Sequence, residues 1–90
     1  MIAHHDLGPQ HFTRSRRLWQ LIQAGTITLA GNKRLKIYGT LQCASGKKMK
    51  VENRVFFRDK AEAIIMGYRP CGHCMRSGYL QWKNRNKHVI

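Results

Sequence analysis

Acidic residues are scarce in this chain: Asp6, Glu52, Asp59 and Glu62 are all it has, against 17 lysines and arginines. The chain also lacks paired carboxylates, a glycine loop able to cradle phosphate, and any Ser/His/Asp grouping, so nothing in it argues for hydrolysis. Long apolar runs are missing too. No window approaches the roughly 20 residues needed to cross a bilayer, and Met1 to Leu7 lacks the basic and apolar stretches of a signal peptide. The expectation is a soluble, cytoplasmic protein. Internal repeats, low-complexity tracts and Pro/Gly/Ser linkers are absent, which leaves a single domain over residues 1–90. Cysteine is limited to three residues, an odd number, and without an export signal the thiols stay reduced. Metal ligation is the better use for them.

What is there in quantity is positive charge. A formal charge of +13 on 90 residues repels itself unless something anionic offsets it. Nucleic acid, DNA first, is the expected partner, and the spread of basic residues along the whole chain rules out a simple basic tail. At this length the hydrophobic core is thin, and a metal staple contributes much of the stability of such domains. A monomer is expected, with no membrane and with room for a protein partner.

The periodicities give an α+β reading: a small three-stranded antiparallel sheet with flanking helices around a zinc site. An irregular arm covers residues 1–12. Thr13 caps a helix over Arg14 to Ala24, with Leu18, Leu21 and Ile22 on one face, Trp19 joining them, and Gly25 as a left-handed stop. Alternation then takes over at Ile27 and Leu29, turns at Gly31-Asn32-Lys33, and resumes at Leu35, Ile37 and Leu41 as a hairpin. A third strand is predicted over Arg54 to Arg58 around Val55, Phe56 and Phe57. Asp59 and Glu62 read as a capping box for a short helix ending at Gly67. Met75, Tyr79 and Trp82 place a last helix over Met75 to Lys83, followed by a frayed basic tail at 84–90. Tyr79 and Trp82, if exposed, would favour a structural adaptor for a protein partner.

Cys71-Gly72-His73-Cys74 is a C-x-x-C turn that lets two thiolates converge on one tetrahedral ion. The same spacing serves redox dithiols, but those open a helix after a strand in an alternating strand and helix pattern that is absent here. Cys43, at the end of a predicted strand, supplies a third thiolate. The fourth ligand is expected from the N-terminal arm, His4 or else His5, because His73 would have to reverse its direction to reach the same ion. His11 and His88 are the remaining histidines. An open fourth position holding water is the other possibility.

The run Glu52-Asn53-Arg54-Val55-Phe56-Phe57, then Ala61-Glu62-Ala63, then Gly67-Tyr68-Arg69-Pro70-Cys71-Gly72-His73-Cys74, resembles the zinc-binding domain at the N-terminus of the Ada DNA-repair protein and its relatives. About half the chain carries the resemblance closely, and a weaker match extends to Arg17-Leu18-Trp19-Gln20. In that family zinc sits on four cysteines, and the first thiolate accepts a methyl group from a DNA phosphotriester. The resemblance implies zinc, DNA binding, and roles in DNA repair and transcription regulation. Aligning back from Glu52-Asn53 without a gap sets Cys43 beside the second ligand and Gly39 where the methyl acceptor stands. No catalytic residue is then assigned; a shifted alignment would make Cys43 the acceptor instead. In the family, basic residues around the metal contact DNA, and Lys47, Lys48, Lys50, Arg54 and Arg69 occupy comparable neighbourhoods here. Tyr38 and Tyr68 could stack on bases, though tyrosines beside such elements commonly belong to the core.

Overall fold

The computed structural model describes residues 1–43 and 49–87, without the side chains of the last two of these. Its strands are β1 (Ile2–Ala3), β2 (Leu29–Asn32), β3 (Ile37–Thr40), β4 (Arg54–Phe57) and β5 (Arg69–Pro70). Its helices are α1 (His11–Gln23), α2 (Lys60–Ile65) and α3 (Arg76–Lys87), with short 3-10 turns at His4–Leu7 and Val51–Asn53. The strands form one sheet in the order β1-β4-β2-β3-β5.

The expected hairpin and third strand make up its centre. β2 pairs antiparallel with β3, Leu29 opposite Thr40 and Asn32 opposite Ile37, and with β4, Leu29 opposite Phe57. Two further strands correct the three-stranded expectation. β1, inside the arm read as irregular, pairs antiparallel with β4, and β5 runs parallel to β3 with Ile37 opposite Arg69. Each is two residues long, so there is no alternation for a sequence reading to detect.

Alternation along the central strands sorts their side chains onto two faces. Leu29, Tyr38, Val55 and Phe57 pack with Ala63 of α2 and with Tyr68. Ala30 and Phe56 pack on the opposite face with Ile27, Leu7, and Leu18, Leu21 and Ile22 of α1. Phe57 meets Tyr68 edge to face, with ring centroids 4.8 Å apart. The fully buried Val55, Phe56 and Phe57 each contribute about 1.5–3 kcal/mol by leaving water.

Local corrections have local causes. Helix α1 begins at His11, and its N-cap Gln10 makes no side-chain capping bond, so Thr13 lies inside the first turn. The stop is as expected: Gly25 adopts φ 73°, a conformation that a Cβ would strain. Trp19 is 61% exposed, because it is rotated about 100° from Leu18 and away from the buried stripe. The hairpin turn falls at Lys33 to Lys36, where Asn32 Oδ1 accepts from the amides of Arg34 (2.9 Å) and Leu35 (3.1 Å). Leu35 therefore sits in the turn, largely exposed. Asp59 caps α2 by accepting from the Glu62 amide at 2.9 Å. The Glu62 carboxylate does not return the bond; it meets the Met1 amino group at 2.6 Å. Helix α3 continues through residues 84–87 of the expected tail, and the rest of that tail lies outside the described residues. No helix among the described residues is long and apolar enough to cross a membrane.

Candidate metal centre

Parallel strands leave a sheet at the same end, and that is how two distant sequence segments meet here. β3 and β5 run side by side, and the Cys71 amide extends their ladder by donating to Tyr38 O at 2.8 Å. Beyond β3 the chain turns, the Cys43 amide donating to Thr40 O at 3.2 Å. Beyond β5 the C-x-x-C segment turns as well, closed by the Met75 amide donating to Cys71 O at 3.0 Å. The Sγ atoms of Cys43, Cys71 and Cys74 thereby lie within 4.8 Å of one another. Zinc–thiolate bonds of about 2.3 Å put sulfurs about 3.8 Å apart on a tetrahedron, so the donor set fits the ion.

Backbone donors complete the fit. The Thr40 amide donates to Cys74 Sγ and the His73 amide to Cys71 Sγ, each at 3.4 Å. Such bonds favour the thiolate and orient it. Burial pushes the Cys74 thiol above its ordinary value, and the Thr40 amide pulls the other way. Gly39 closes one side of the cluster: a Cβ there would come within 3.3 Å of Cys71 Cβ and much closer still to Cys74. A cleft of about 370 Å³ opens beside the thiols, with apolar walls from Ala30, Leu35, Ile37 and Met49 and with His73 at its rim.

Three of the four expected metal ligands are thus brought together, and His4 is not among them. The reason is topological. The arm is tied to β4 through β1 at one edge of the sheet, whereas the thiols gather beyond β3 and β5 at the other. The His4 ring meets Phe56 edge to face at 5.3 Å, and its Nδ1 is buried without a hydrogen-bond partner among the described residues. Burial first, then Arg54, Arg14 and His11, hold its pKa below 6.5. His5 is exposed and faces Asp6 at 3.3 Å. His73 is exposed and contributes to the cluster through its amide.

The residues expected to contact nucleic acid are scattered. Lys47 and Lys48 lie outside the described residues, and Lys50 is exposed. Arg54 is half-buried with its guanidinium over Phe56 at 5.2 Å, on the His4 side of the sheet. Arg69 is half-buried, stacked over Tyr79 (5.2 Å) and Trp82 (5.4 Å), and donates to Pro70 O. Tyr38 and Tyr68 are core residues. The sequence reading missed the Thr40 amide as a sulfur donor, since a backbone group has no residue type to signal it.

Residues 21–76 match the family model described as the metal binding domain of Ada. Neither the curated proteins nor the solved structures gave a match.

Proposed function

Because the chain belongs to the family of the Ada metal-binding domain and zinc is the metal its three cysteines take, we propose that this zinc module binds nucleic acid, DNA first, through phosphate contacts. Cys43, Cys71 and Cys74 would hold the ion, which supplies a covalent-like tie between two distant chain segments. Cys43 follows β3, and the other two follow β5, so one ion fixes the ends of two strands and the start of α3.

Uncompensated charge carries the reading. Among the described residues, Arg58, 3.8 Å from Asp59, is the only lysine or arginine within ion-pair distance of a carboxylate. Lys36, Arg54 and Arg69 lie over aromatic rings, and Arg16, Arg17, Lys33, Arg34, Lys50, Lys60, Arg76, Lys83 and Arg85 are exposed. Each phosphate contacted releases counterions, which makes affinity fall with salt. Lys50, Arg54 and Arg69, with Lys47 and Lys48, remain the proposed contacts; Arg69 lies over Tyr79 and Trp82 and donates from one nitrogen to Pro70 O, which leaves further donors for a phosphate.

Fluorescence anisotropy on a short duplex, repeated across a salt series, tests this. Binding whose log–log salt slope is about −3 or steeper is expected, the value for three or more phosphates engaged. Absent binding at low salt, or binding indifferent to salt, would refute it. A methyl-acceptor role through Cys43 stands further off, because this residue is only 7% exposed. Intact mass after incubation with methyl-phosphotriester DNA separates the two roles: a gain of one methyl group supports transfer, and unchanged mass with salt-sensitive binding supports the binding module.

A further inference from the structure

β5 lies at the edge of the sheet, and beside it is a cleft of about 450 Å³ lined by residues of α2 and α3. That volume lies within the usual range for small-ligand sites. One wall is a single face of α3, because Gly78, Gln81, Trp82 and Arg85 recur at helical spacing. Lys60 and Ile64 of α2 form the other wall, and Arg69 and Pro70 form the floor.

The chemistry of the lining is one-sided. Lys36, Lys60, Arg69 and Arg85 all reach this cleft, and among the described residues no acidic one lines it. None of the four is within ion-pair distance of a carboxylate among the described residues. Lys36 lies over the Tyr68 ring at 4.9 Å, and Arg69 lies over Tyr79 at 5.2 Å and Trp82 at 5.4 Å, so two of the cations are already positioned. Tyr38 also lines the cleft, and its buried hydroxyl has no hydrogen-bond partner among the described residues. A buried hydroxyl without a partner is uncommon in folded proteins and marks a place where a polar ligand fits.

Four cations call for a phosphate, and an indole beside a side-chain amide calls for a planar, hydrogen-bonding ring. We propose that the cleft binds one unstacked nucleotide of a nucleic-acid strand, with its phosphate among Lys36, Lys60 and Arg85 and its base against Trp82 and Gln81. The site is separate from the thiol cluster, and the inference rests on the reading that the domain binds nucleic acid. A base held inside a duplex cannot enter such a cleft, so single strands are preferred over duplex at equal charge.

Two arms test this with the zinc-loaded full chain. In the first, anisotropy compares a short single strand with a duplex of half its length, so that both carry about the same charge; the single strand should bind about tenfold more tightly. Lys60→Glu should remove most of that preference and leave the fold intact, because an acid at the first position of α2 suits the helix dipole. In the second, amide resonances of Lys60, Arg69 and Gln81 should shift on titration with a nucleoside monophosphate, and much less with inorganic phosphate. Equal binding of single strand and duplex, with no shift at the cleft, overturns the proposal while leaving general nucleic-acid binding in place. Loss of binding to both forms overturns the broader reading as well. Equal shifts with inorganic phosphate would reduce the site to an anion site without a base, which also overturns it.

Discussion

Gly39 faces Cys74 so closely that a Cβ atom at Gly39 would lie 2.6 Å from the Cys74 Sγ. With the thiols as they stand, a side chain at this point of β3 would enter the cluster directly. The ungapped reading of the sequence sets Gly39 in the place of a family ligand.

Gly39→Ala should therefore overpack the centre. The methyl group has nowhere to go except against a short, fixed thiol, and overpacking of this kind typically costs about 1–3 kcal/mol. Urea unfolding of the zinc-loaded protein would measure the loss. A wild-type midpoint for the variant would mean that the thiols stand elsewhere.

Zinc removal should act on the whole fold, because the three thiolates tie the ends of β3 and β5 to the start of α3. A loss of about 3 kcal/mol lowers the thermal midpoint of a domain this small by roughly 12–24 °C. Circular dichroism with and without a chelator checks this. Cys43→Ala and Cys71→Ala should reduce metal content measured by mass spectrometry, whereas His4→Ala should leave it unchanged.

His4 gives a dependence on pH whose sign is fixed by its surroundings. Its folded pKa is depressed below 6.5 by burial and by Arg54, Arg14 and His11, so the unfolded chain binds the proton more readily. The contribution is present in full above 6.5 and is lost as pH falls from there through the folded value. Denaturation midpoints of His4→Phe should vary less with pH across that window than those of the wild type. Identical profiles would show that another group sets the dependence.

Removing the cap of α2 is a cleaner local test. Asp59→Ala deprives the Glu62 amide of its acceptor and should cost about 1 kcal/mol. Asp59→Asn should recover most of this, since the amide oxygen can still accept. A loss equal to that of alanine would point to the charge rather than the hydrogen bond.

Much of the site and fold could be read from residue order. The thiols were visible because cysteine is rare here and the C-x-x-C spacing constrains geometry, and Asp59 and Gly25 were visible because caps and stops depend on neighbours in sequence. Trp19 and Arg69 were not. Their exposure and stacking depend on which helix face meets the sheet and on where α3 lies beside β5. His4 was misplaced for a similar reason, since nothing in the arm announces that it pairs with β4.

By itself, then, the sequence determined the kinds of groups available: three thiols, an excess of cations, and the alternation that gives the central strands two faces. Those features are local, and local propensity and hydrophobic period suffice to set them. Only the tertiary structure decided which groups meet. The parallel pairing of β3 with β5 gathers the cysteines, and the pairing of β1 with β4 carries His4 to the far edge. Strand order is a long-range choice settled by packing, and a strand of two residues carries too little pattern to reveal it beforehand.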